Sequence, residues 1–138
     1  MKARNTNTGA VLEAMVLPAL QRGGYACEAQ VLVGQRCGGG VQKVDAIARH
    51  HDETVLISLK WQQTSGTAEQ KVPFEVMCLA DAVRAGHASR AYLVLGGDGW
   101  KLRDYFTSGH MAEHLVHASL VRVVTLEAFI RIANNGQL

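Results

Sequence analysis

Thr54-Val55-Leu56-Ile57-Ser58-Leu59-Lys60-Trp61-Gln62 is the stretch on which the fold turns. It is strongly β-branched and its pattern has a period of two. Successive side chains of a strand point to opposite faces. Val55, Ile57, Leu59 and Trp61 therefore share one face, and Ser58, Lys60 and Gln62 the other. One face builds core, while the opposite face presents a lysine and a glutamine at its end. Such a composition suits a strand inside a sheet.

The neighbouring segments extend that sheet. Residues 41–49 read as a second strand, with Asp45 set between Val44 and Ala46 in an otherwise apolar run. His50-His51-Asp52-Glu53 is a polar turn, short enough to predict an antiparallel pair. Residues 25–34 read as an earlier strand, joined by the glycine-rich hairpin loop Gln35-Arg36-Cys37-Gly38-Gly39-Gly40. Before it, Val11, Leu12, Met15, Val16 and Ala19 recur at helical spacing over residues 9–22. Thr8 is the expected N-cap, Gly23-Gly24 the stop, and Pro18 predicts a kink. Glu13 borders the apolar stripe of this helix.

Downstream, Thr64-Ser65-Gly66 breaks the pattern and a helix runs to about residue 85. Two starts fit it: Thr67 with Gln70 as a capping box, or Pro73 at the first helical position. Residues 91–95 are a buried strand ended by the turn Gly96-Gly97-Asp98-Gly99. A helix is expected within residues 100–117, broken at Gly109, then a strand over 120–125 and a helix over 126–133. The helical connection after Gln62 allows a parallel neighbour. The expectation is one α/β domain over residues 1–138, a central mixed sheet flanked by helices.

Bulk properties narrow the class. The chain has 138 residues, 48% of them hydrophobic, and a formal net charge of +2. That supports a real core and excludes a mostly disordered chain, while the weak basicity argues little either way for nucleic acid. Three cysteines stand far apart with no CxxC pair, which excludes a cysteine zinc site and predicts reduced thiols in a cytoplasm. The opening residues are polar and lack an apolar leader core, and no apolar run is long enough to span a membrane.

Asp45 and Lys60, on adjacent central strands, can face each other across about one strand spacing, roughly 5 Å. Phosphodiester hydrolysis uses such a set. A carboxylate binds Mg²⁺, which polarises a phosphoryl oxygen. A lysine orients the attacking water and offsets charge in the transition state. At these residues the chain resembles a known family. Asp45, a spacer, then Ser58-Leu59-Lys60 resembles the D…(D/E)xK signature of the PD-(D/E)XK nucleases. The element order is similar to their restriction-endonuclease-like αβββαβ core. Glu13 followed by Gly24-Tyr25 resembles the "E…GY" opening of several branches, and Gln62 the glutamine of (D/E)xKxQ. The likeness covers roughly residues 9–96.

The resemblance implies a DNA endonuclease dependent on Mg²⁺ (or Mn²⁺), restriction-like or of phage or repair type. Asp45 would bind metal, Lys60 would activate water, and Gln62 would orient Lys60 or that water. It implies a bacterial or phage-encoded, cytoplasmic protein, and a homodimer if both strands of a duplex are to be cut. Two departures stand out: Val44 replaces the proline, and Ser58 stands where the second acid belongs. Relatives with serine there supply a glutamate from the following helix. Glu75 or Glu69 would be that residue, and Glu13 a further metal carboxylate.

Other readings stay open. Ser58 also fits a catalytically weak or inactive nuclease-fold module that binds DNA or assembles with partners. His110-Met111-Ala112-Glu113-His114 matches the H-x-x-E-H pattern of zinc peptidases, with His117 on the same helical face. Arg36 in its loop can touch a DNA phosphate. Leu115, Val116, Leu126, Phe129 and Ile130 either form a dimer surface or are buried in the monomer.

Overall fold

A sheet of five strands in the order β1-β2-β3-β4-β5 runs through the computed structural model, which describes residues 6–138. The strands are β1 (Ala26–Gln35), β2 (Val41–His50), β3 (Glu53–Trp61), β4 (Arg90–Gly96) and β5 (Val121–Thr125). β1, β2 and β3 pair antiparallel through short turns, and β4 and β5 add in parallel. This is the mixed α/β sheet that the sequence predicts. The first five residues, read above for their polarity, lie outside the described residues.

Each face of the sheet has its own core. Helix α3 (Val72–Arg84) crosses from β3 to β4 and buries Val72, Val76 and Leu79 against Val44, Ile47, Leu56 and Leu93. The β4–β5 connection moves in the same direction along the sheet, so a shared crossover handedness puts it on the same face. It packs Trp100, Phe106 and Met111 there, with α4 (Arg103–Thr107) as its short helix. The opposite face is covered by α1 (Thr6–Val11), the π-turn that follows it, α2 (Leu17–Arg22) and α5 (Leu126–Asn134), whose Leu12, Leu20 and Phe129 share one core with Ile57, Leu59 and Val94. Thr125 Oγ1 caps α5 by accepting the Ala128 N–H at 3.1 Å. Leu126 and Phe129 are core residues of the monomer, and of the apolar residues in the tail Val116 alone is strongly exposed, at 82%.

One expectation needs correction: Thr8 lies inside α1 rather than capping it. The first helix changes its winding just ahead of Pro18. A π-turn over Leu12–Val16 precedes it, and Pro18 opens α2 near its first position. The wider turn relieves the clash between the proline ring and a carbonyl one turn earlier. Within residues 100–117 the expected helix is α4, and its break falls at Gly109 as the sequence predicts. Gly109 at φ 89 ends the helical course after α4, and a 3-10 turn covers His110–Glu113. Of the two starts for the central helix, Pro73 prevails: a 3-10 turn spans Thr67–Lys71 and α3 begins at Val72.

The glycine turn after β4 exists for close backbone approach. Gly97 has φ +89, and a Cβ there would lie 2.4 Å from the Gln62 carbonyl oxygen. Gly97→Ala is therefore expected to destabilise the protein by about 2 kcal/mol or more. A urea midpoint equal to wild type would refute that. Among the described residues no helix is long and apolar enough to cross a membrane.

Candidate active site

The site forms where β2 and β3 part. Their pairing stops at Ala46–Ile57, while β3 stays paired to β4 as far as Trp61–Gly96. The cause is a shared slip in β1 and β2. Cys27 and Ala29 pack toward α2 and α5, whereas Val31 and Val33 pack toward α3. In β2, Ala46 and Ala48 face α2 and α5, while Val44 faces α3. The alternation breaks at Gln30, held at φ 57, and at Asp45, which stand between the Ala29–Ala46 and Val31–Val44 pairs. Such a break twists the arm away from β3.

Asp45 fills the fork. Its Oδ2 accepts the Leu59 backbone N–H at 2.6 Å, a donor left without a ladder partner on that side. This fixes the carboxylate plane and keeps Oδ1 clear of that bond. Burial raises the Asp45 pKa above the usual aspartate range. The Leu59 N–H and Lys60 work against that rise, and Glu75 adds to it.

Glu75 comes from the first turn of α3 and is only 4% exposed. Ser58 Oγ donates to its Oε2 at 3.0 Å. Gln42 Nε2 lies 3.4 Å from the same oxygen. Arg36 stands 3.5 Å and Lys60 Nζ 4.0 Å from Oε1. Asp45, Ser58, Lys60 and Glu75 line one open groove of about 460 Å³, with Arg36 and Lys43 at its side. Three cations thus surround two carboxylates, a charge set suited to a polyanion beside a bound metal.

Three sequence candidates lie elsewhere. Gln62 falls one residue past β3 and is spent on structure: Nε2 donates to Glu69 at 3.1 Å and to the Gly99 carbonyl at 2.8 Å, and Oε1 accepts from Ala68 N. It makes no contact with Lys60, because the strand end turns it under the Gly96–Gly99 strap. Glu69 holds that strap through the Lys101 and Leu102 amides, so it faces away from the groove. Glu13 is exposed on the π-turn and does not line the groove. The histidine cluster dissolves too. His110 stacks on Tyr105 and bonds Ser108, and His117 sits at φ 66, so no common helical face exists. Gln42 was missed, although it shares the inward face of Val44 and a polar residue there signals a partner.

Asp45 and Glu75 offer hard oxygen ligands, and among the described residues no group of three or more His, Cys, Asp or Glu is placed to hold a metal. That set fits Mg²⁺ or Mn²⁺. Mg²⁺ in particular takes one or two carboxylates and completes its shell with water and substrate oxygens. It does not fit a structural zinc site.

The family described as a PD-(D/E)XK nuclease superfamily domain matches residues 4–137. Among solved structures, the crystal structure of a protein of unknown function, AF1548, resembles this one with a TM-score of 0.53 at 15% identity. The match covers 80% of this chain and 54% of that one, so this chain spans about half of the other's length. At that identity the likeness concerns the fold. No curated protein matches.

Proposed function

Because the chain belongs to the PD-(D/E)XK nuclease superfamily, we propose that it hydrolyses DNA phosphodiester bonds as an endonuclease dependent on Mg²⁺ or Mn²⁺. The observation that carries this reading is the fork itself. Two carboxylates from different elements, Asp45 and Glu75, share a solvent-open groove with the Lys60 ammonium. When bound, a divalent ion supplies Lewis-acid polarisation of a phosphoryl oxygen and a more acidic water. Asp45 and Glu75 would hold it. Lys60 would orient the attacking water and offset the charge of the pentavalent transition state. Arg36 and Lys43 would guide the strand by its phosphates. One site cuts one strand, so a two-fold homodimer is the arrangement that cuts both strands at one place.

Ser58 and the four groups around Glu75 support a second reading, a nuclease-fold DNA-binding module without cleavage. Plasmid and branched DNA, incubated with Mg²⁺ or EDTA, separate the two readings. Cleavage in Mg²⁺ alone supports the enzyme, whereas binding without cleavage in either supports the module. Calorimetric Mn²⁺ titration then tests the ligands. Glu75→Ala is expected to weaken binding at least about 10-fold, and Glu13→Ala to leave it within about twofold. Unchanged metal affinity and cleavage in Glu75→Ala would remove Glu75 from the site.

A further inference from the structure

Glu75 is held by more than its immediate neighbours on the sheet. Arg36 NH1 donates to Gln42 Oε1 at 3.2 Å, Gln42 Nε2 faces Glu75 Oε2 at 3.4 Å, and Arg36 NH2 faces Glu75 Oε1 at 3.5 Å. The three side chains close a ring that joins the hairpin loop, β2 and α3. Gln42 is fully buried, at 0% exposure, and Nε2 also donates to the Lys43 carbonyl at 3.3 Å. Its amide has one workable orientation. A flip would aim the NH₂ at the guanidinium and the carbonyl at the carboxylate, two mismatches for a side chain that is itself buried. Arg36 is fixed in turn from outside, its guanidinium 5.2 Å over the Phe74 ring. A loop-borne arginine is thereby tied to the residue that precedes Glu75.

We infer that Arg36 and Gln42 are positioning residues that fix the Glu75 carboxylate for metal binding. The inference rests on the metal reading above. A glutamate reaching from a helix has three side-chain torsions to immobilise, where an aspartate on β3 at the position of Ser58 would have only χ1 and χ2. Ser58 restrains one oxygen of Glu75, and the Arg36–Gln42 ring restrains both oxygens and so the rotation of the carboxylate. The ring is the local compensation for an acid that has moved from strand to helix.

The rival role for Arg36 is a counter-charge that occupies Glu75 until metal displaces it, and the two roles differ in sign. A competitor's removal strengthens metal binding, because a like charge leaves the site. Loss of a positioner weakens it. The experiment is calorimetric titration of Mn²⁺ alone into wild type, Arg36→Ala, Arg36→Lys and Gln42→Leu, with thermal melts of each. The expected result is an affinity about 10-fold lower in Arg36→Ala and Gln42→Leu, the scale found for supports of metal ligands. Arg36→Lys keeps the charge but not the two-nitrogen fork, so it should recover only part of the loss. If Gln42→Leu does not fold, the half-exposed Arg36 variants carry the test. Tighter or unchanged Mn²⁺ binding in Arg36→Ala overturns the inference while wild-type binding leaves the metal reading intact. Wild type that takes up no Mn²⁺ sinks the metal reading and this role with it.

Discussion

Lys60→Ala is expected to lower DNA cleavage by about 10³-fold or more while shifting the melting temperature by no more than about 2 °C. The two effects separate because of how Lys60 is placed. Its side chain is 31% exposed and its ion pair with Glu75 is long, at 4.0 Å. A half-exposed pair of that length contributes little to stability. Its loss leaves no stranded charge, since Ser58, Gln42 and Arg36 still face Glu75. The face of β3 opposite Lys60, with Ile57 and Leu59, keeps its packing. Lys60→Arg keeps the charge, but the larger planar group cannot move a proton at neutral pH, and it should not restore the rate. Cleavage of plasmid by Lys60→Ala at the wild-type rate would end the assignment.

Asp45→Asn should abolish metal-dependent cleavage and yet stabilise the metal-free fold at pH 7 by about 1 kcal/mol, or about 4 °C in Tm. Burial is the main cause that raises the Asp45 pKa from its ordinary 3.8. A carboxyl with a raised folded pKa binds its proton more tightly in the folded chain than in the unfolded one. Its contribution to stability is therefore largest in acid and falls as pH climbs from the unfolded value through the folded one. At neutral pH the ionised Asp45 is a net cost. Asparagine keeps an acceptor for the Leu59 N–H and removes the buried charge. The advantage should shrink as the pH falls below the raised Asp45 value, where the wild-type carboxyl is itself protonated. Saturating metal should reverse the order, because a ligand at about a hundred times its Kd stabilises the wild type by about 2.7 kcal/mol. Melts at pH 7 and at low pH, with and without Mn²⁺, test the whole pattern. An Asp45→Asn protein less stable than wild type in metal-free buffer at pH 7 would show that the carboxylate stabilises the fork instead of straining it.

These residues differ in how far they could be read along the chain. The faces of β3 follow from period-two alternation, and Ile57, Leu59 and Ser58 lie where that pattern puts them. Asp45 was conspicuous as a charge in an apolar run. Glu75 and Glu69 were both candidates for the acid missing at Ser58, and Glu13 for a further metal carboxylate, and the sequence left all three open. Only the chain's path separates them: Glu75 turns into the groove, Glu69 caps the Lys101 and Leu102 amides, and Glu13 is exposed. Gln62 kept the parity of Lys60 but lost its direction where the strand ends. The H-x-x-E-H match failed since a spacing holds ligands together only on a continuous helix, and here a short 3-10 turn ends at Glu113, before His114.

The sequence alone determined the αβββαβ order, the central place of β3, and the placing of an aspartate and a lysine on neighbouring strands. Those properties are local: side-chain periodicity, β-branching, and the few conformations open to proline and glycine. Tertiary structure alone decided that β2 and β3 part at Asp45, that Glu75 reaches Ser58 across 17 positions, and that Arg36 and Gln42 close a ring upon it. Those outcomes depend on a face slip shared by two strands and on the ends of long side chains. A displacement of a few ångströms there exchanges a groove carboxylate for a brace on two backbone amides, and no spacing along the chain encodes so small a distance.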